Sequence, residues 1–129
     1  MIQTEIDSLL NTITSYVNVN ASFGNKDLGV DDYPHVHVIP NQSVTFGKIG
    51  GENQSGYFSV LITIKTAIQN DTDGAERQAI EILEKLLEKL PAHSGCYDRK
   101  FQGNATCEYL ENLYQISLPY NLKFMTIGV

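Results

Sequence analysis

No run of apolar residues in this 129-residue chain approaches the roughly 20 needed to cross a bilayer as a helix. A membrane-spanning helix is therefore not expected. The chain does not start with a basic stretch leading into an apolar run, and Glu5 and Asp7 fall early, so no signal peptide is expected either. Positive charge is scarce. Nine Lys and Arg stand against fifteen Asp and Glu, for a net charge of −6. That balance disfavours phosphate backbones and anionic membranes as partners, because both need a basic surface. Cysteine is limited to Cys96 and Cys107. They form no CxxC pair, and His93 does not complete a zinc pattern beside them. A secreted domain would link them across a hairpin; without a signal peptide they read as free thiols. Internal repeats, low-complexity segments, a glycine-rich phosphate loop and a GxSxG elbow are all missing. With no nucleophile–base signature, the chain is not expected to be an enzyme, and no cofactor is implied.

What is present is ordinary for a folded domain: 42% hydrophobic and 19% charged residues. The length suits one domain, 1–129, with a two-layer core and with 125–129 read as a tail.

The stretch Tyr57–Leu90 organises the rest. Phe58, Val60, Ile62 and Ile64 alternate with Ser59, Thr63 and Lys65, and Tyr57 and Leu61 share the more polar phase. Side chains alternate across a strand, so a central strand with one core face is expected. After the turn Gln69–Gly74, the residues Ala79, Ile82, Leu83, Leu86, Leu87 and Leu90 recur at helical spacing. Asp73 and Glu76 stand three apart, as an N-cap and its reciprocal cap would.

Before this stretch, Ile2–Val19 reads as a helix with Ile2, Ile6, Leu9, Leu10, Ile13 and Val17 on one side. Asn18, Asn20 and Gly24 end it, and Phe23–Tyr33 reads as a polar loop. Pro34–Pro40 reads as a short strand bracketed by prolines, followed by a tight connection at Asn41–Gln42 and a second strand, Ser43–Ile49. Gly50–Gly56 reads as an exposed loop. After the helix, Pro91 stops propagation. Ala92–Asn112 carries no clear pattern beyond a short strand near Cys96–Phe101. In Asn112–Phe124, Tyr114, Ile116, Leu118, Tyr120, Leu122 and Phe124 are all apolar or aromatic, the strongest period-two signal in the chain. Pro119 falls on the outward phase, which predicts an edge strand or a bulge.

These elements predict an α+β fold: an antiparallel or mixed sheet of four to five strands with two helices packed on one face. The second sheet face would carry Ile49, Tyr57 and Leu61, a half-apolar surface that points to a partner or another subunit.

Several residues invite a chemical reading and have a plainer one. His35 and His37 lie two apart on a strand and share a face, as half a metal site would, yet no acidic or cysteine ligand is near them in sequence; two polar residues on a solvated face is the plainer reading. Asp71, Asp73 and Glu76 lack the glycine and bidentate glutamate of a calcium loop and read as helix capping. Glu84, Lys85, Glu88 and Lys89 read as a solvated helix surface. Tyr114 and Tyr120 share the core phase of their strand, so packing is their expected role.

The order of these elements, with YFSVLITIKTA, GAERQAIEILEKLLEKL and ENLYQISLPYNLKF as its signature stretches, resembles the small tail terminator and head–tail joining proteins of tailed bacteriophages. Some of these are described as minor capsid or tail completion proteins. The likeness spans about Ile2 to Phe124 and rests on order, lengths and texture. It implies a structural protein of the virion's head–tail junction, assembled in the host cytoplasm. Such proteins form a hexameric ring that caps the tail tube and stops its growth. The ring meets the tail tube protein on one side and neck or connector proteins on the other. DNA would pass through without specific binding, which an acidic surface favours. The expected subunit or tube interface is the outward phase of the central strand, Tyr57, Ser59, Leu61 and Thr63, with Glu52, Asn53 and Gln54 of the loop. Within the virion, a head-side connector or a tube subunit is the nearest alternative. Outside it stand a small module that recruits a partner by adding a strand at the last strand, and a small-molecule-binding domain using His35, His37 and a tyrosine.

Overall fold

A computed structural model of the chain describes residues 2–25, 28–48, 54–90, 100–101 and 104–126. The element order is α1 (Ile2–Thr12), a π-helical turn (Ile13–Val17), β1 (Asn20–Phe23), a 3-10 turn (Val30–Asp32), β2 (His35–Lys48), β3 (Gln54–Ala67), α2 (Thr72–Lys89), β4 (Lys100–Phe101), β5 (Thr106–Leu110) and β6 (Leu113–Thr126). The strands form one mixed sheet, five positions wide, in the order β1-β2-β3-β6 with β4 and β5 sharing the far edge beside β6. Among the described residues only β1 with β2 is parallel; the other pairings are antiparallel. The α+β fold with two helices packed against the sheet is as the sequence predicts.

β3 holds the sheet together because it pairs along its whole length with β6, Gln54 opposite Thr126 through to Ala67 opposite Leu113. Its even positions Val60, Ile62 and Ile64 are completely buried. They meet Val36 and Val38 of β2 and Ile116, Leu118, Tyr120 and Leu122 of β6. Ile6 and Leu9 of α1, Ile13 and Val17 of the π turn, and Ala75, Ala79, Ile82 and Leu86 of α2 close the same core from above. Each large aliphatic residue buried this way contributes roughly 1.5–3 kcal/mol. Thr66 is also buried there. Its hydroxyl donates to the Ala75 carbonyl at 2.8 Å, tying the end of β3 to the start of α2.

Several readings from sequence change. The first helix is regular only to Thr12; Ile13–Val17 is a π turn closed by Asn18 in the left-handed conformation, φ 62°. Asn20–Phe23 is a strand rather than the start of a loop. A four-residue, half-polar strand has too few positions for its period to register. Pro34–Ile49 is not two strands around a tight turn but one strand, His35–Lys48. Pro40 stays inside it because the register with β3 shifts between Pro40 and Val44, and a bulge tolerates a residue with no N–H. The hairpin therefore joins β2 to β3, and Gln54–Gly56, read as the end of the exposed Gly50–Gly56 loop, belong to β3 because they pair with Phe46–Lys48. Pro119 sits on no edge strand: β6 runs between β3 and the β4/β5 edge. β5 pairs up to Ser117 and β4 begins at Tyr120. Among the described residues, the missing N–H of Pro119 thus faces the gap between them. Met125 and Thr126 belong to β6 rather than to a tail. Finally, Leu87 is 47% exposed and lies off the α2 core stripe, which Ala75 joins instead.

The α2 cap also differs from the expected box. Asp71 is the N-cap, in extended conformation, and its side chain accepts from the Gly74 N–H at 3.4 Å. Asp73 instead pairs with Arg77 at 3.0 Å, an exposed i,i+4 contact. Because a cap satisfies an orphan helix donor and an exposed ion pair is screened, the two aspartates should differ. Asp71→Ala is expected to cost about 1 kcal/mol in urea denaturation, and Asp73→Ala under about 0.5 kcal/mol. Equal losses would restore the capping box.

Candidate interaction face

The side of the sheet away from the helices is built by the odd positions of β3 and their register partners. Along it lie successive cross-strand rows. Leu61 stands between Ile39 and Pro119, and all three are half-buried. On one side of this apolar row, the Ser59 hydroxyl donates to the Asn121 side-chain oxygen at 2.9 Å. On the other, Thr63 and Ser117 hydroxyls bond at 3.2 Å. Tyr57 is half-buried, opposite Thr45 and Lys123. A central apolar row edged by hydrogen-bonded polar rows is a surface that a neighbour can cover at little desolvation cost.

The structure thus groups Tyr57, Ser59, Leu61 and Thr63 on one face. Thr63 is only 3% exposed, so it supports this face from within. Gln54 opens β3, opposite Lys48 and Thr126. Glu52 and Asn53 lie outside the described residues, as do Ile49 and Cys96. Sequence reasoning did not place Ile39 and Pro119 beside Leu61, because register between distant strands is not visible in any one of them.

The same face carries a feature the sequence pointed to but misread. His35 and His37 do share a side, with ring centroids 4.7 Å apart. They are not solvated: His35 is 8% exposed and His37 0%. His35 Nε2 bonds the Ser22 hydroxyl at 2.8 Å. His37 Nδ1 lies 3.3 Å from the Gly24 carbonyl, to which it donates, so the ring's other nitrogen, Nε2, is a bare acceptor. Nε2 is buried and has no hydrogen-bond partner among the described residues. Burial pushes the His37 imidazole from its ordinary 6.5 down to about 4; the Lys65 ammonium and, to a smaller extent, His35 push the same way, and the bond to Gly24 opposes them. Lys65 itself donates to the Asn25 side chain at 3.1 Å. Among the described residues no group of three His, Cys, Asp or Glu side chains converges to hold a metal ion.

Two other places hold grouped polar side chains. On the β5 edge, Tyr109 and Tyr114 rings stand 5.0 Å apart. The hydrogen bond to Cys107 and burial raise the Tyr114 phenol to about 12, and the bond to Glu76 raises that of Tyr109. Cys107 is an exposed free thiol. An open cleft of about 630 Å³ lies between Tyr33 and the start of α2, lined by Asp71, Arg77, Gln78 and Glu81 among others. It holds none of the interface residues expected from sequence.

No protein-family model matches the chain, and no curated protein matches it in sequence.

The roles assigned to Leu61 and Thr63 are separable. Thr63→Asp buries an unpaired carboxylate and is expected to cost about 2–4 kcal/mol in chemical denaturation. Leu61→Asp places its charge at a half-open position and is expected to cost about 1 kcal/mol or less. If the two lose equal stability, Leu61 belongs to the fold and not to a surface available for contact.

Proposed function

We propose that this chain is the subunit of a ring at the head–tail junction of a tailed-phage virion, a tail terminator that caps the tail tube and lets DNA pass. One observation carries the reading. β3, with 14 residues, spans about 46 Å. α1, with 11, spans about 16 Å, and α2, with 18, about 27 Å. The sheet is therefore longer than either helix, and its far end is a three-stranded arm of Val44–Lys48, Gln54–Phe58 and Leu122–Thr126, rooted in the core by Phe58 and Leu122. Within that arm β3 is paired on both sides, whereas Val44–Lys48 and Leu122–Thr126 pair only with β3 among the described residues.

Among the described residues these two edges, on opposite sides of one arm, carry no further strand, and such edges invite strand pairing with other chains. Joining the Val44–Lys48 edge of one copy to the Leu122–Thr126 edge of the next is a heterologous contact. Such contacts give a ring when the rotation closes. Six copies is the number the resemblance implies. The apolar row around Leu61 lies on one surface of the same sheet, where a tube or neck protein would seat. The net charge of −6 disfavours capture of the passing DNA. The head-side connector and tube subunit use the same edges. A small strand-adding module would use one of them.

Electron microscopy of particles made with the gene disrupted separates these readings. The terminator leaves filled heads beside unattached tails of irregular length. Heads that have lost their DNA, beside tails of normal length, place the protein on the head side instead. Normal particles refute a virion role. In the intact virion, Leu61→Asp is expected to fold, yet to lower particle assembly and infectivity at least tenfold. Unchanged infectivity would remove Leu61 from the interface.

A further inference from the structure

β1 is attached to the sheet in an unusual way. It offers only four residues to β2, Asn20 to Phe23, and its one large apolar residue, Phe23, is 45% exposed. What fixes the segment is a set of polar ties from β2 and β3. His35 holds Ser22, His37 holds the Gly24 carbonyl and Lys65 holds Asn25. The Gly24 N–H completes the set by donating to the Val38 carbonyl at 2.8 Å. Gly24 adopts φ +90°, a conformation that favours glycine.

We propose that the segment Asn20–Asn25 is an acid-releasable cover on the β2 edge, with His37 as the group whose protonation releases it. A proton arriving at Nε2 creates a cation in a closed site. The groups acting on it are the Lys65 ammonium on β3, the His35 ring on β2 and the Gly24 carbonyl of the cover, while the neutral Ser22 and Asn25 of the cover are held by His35 and Lys65. Thr63 adjoins on β3, and Gln115 and Ser117 stand one strand further on β6; none of these is charged. Glu108, on β5, is bonded to Gln115 at 3.4 Å and lies beyond that strand. No carboxylate among the described residues reaches His37 to balance the charge.

Among the described residues that leaves water as the acceptor, and the ring meets it when the cover lifts. Lifting the cover exposes the β2 backbone at His35–Val38, so acid extends the open β2 edge. The direction of linkage is fixed. The closed form holds His37 near 4 and the open form returns it to about 6.5, so the open form binds more protons. Closure is fully favoured above the ordinary histidine range and weakens as pH falls from 6.5 toward 4.

The test is NMR on the intact chain, following the His37 ring and the backbone amides together from pH 8 to pH 4. After correction for intrinsic exchange, the opening constant of Ser22–Gly24 amides is expected to rise about thirtyfold between pH 8 and pH 5. Amides of Val60–Ile64 and Ile116–Leu118 should keep their protection over the same range. The rise should follow His37 protonation and vanish in His37→Gln. If that variant does not fold, the coincidence of the two titrations in the natural chain decides. Loss of β1 and core protection together, release in His37→Gln at the same pH, or no release down to pH 4 would each overturn the proposal.

Discussion

The pairing of β3 with β6 is the constraint on which the other elements depend. Fourteen consecutive register pairs place Val60, Ile62 and Ile64 beside Tyr120, Leu118 and Ile116 on one surface. Side chains alternate strictly, so that single register also fixes what appears on the opposite surface. A slip of one residue would turn Ile62 outward and Leu61 inward, and α1 and α2 would lose their apolar seat. The helices therefore follow the ladder: their stripes are usable only because β3 and β6 present a matching one.

This dependence explains which parts of the fold were legible in the sequence. β3, β6 and α2 were, because each carries its own period over many residues. The run from Tyr114 to Phe124 needs no knowledge of its neighbours to read as a strand. β2 was cut in two because Pro40 looks like a terminus locally. Only the shifted register with β3 shows that the strand passes through it. β1 was missed for a related reason: in NASF the apolar phase is only Ala21 and Phe23, too short to register, and it forms a strand because β2 offers it an edge. The capping aspartate was displaced by two residues, since Asp71 and Asp73 both satisfy the local rule and only backbone geometry chooses between them.

The second sheet face was legible only in part. Spacing alone put Tyr57, Ser59, Leu61 and Thr63 on one side, but burial divides them, and it comes from neighbours far along the chain. The histidines make the same point more sharply. Two residues apart on a strand, they were read as sharing a solvated face. The shared face holds; the solvation fails, because both rings are buried and bonded to Ser22 and Gly24 of the preceding segment. Few charges and many hydroxyls leave that face capable of burial, with the apolar row at its centre and the open edges of the arm beside it. In the proposed ring, that surface would seat the tube or neck and the two edges would meet adjacent copies.

In the proposed ring the arm's edges join copy to copy. Cryo-electron microscopy of virions carrying this protein tests it most directly. The expected map shows a closed ring around the DNA channel at the junction of head and tail, with Val44–Lys48 of each copy paired to Leu122–Thr126 of the next. A map in which the copies leave both edges in solvent, or meet only through their helices, would contradict it.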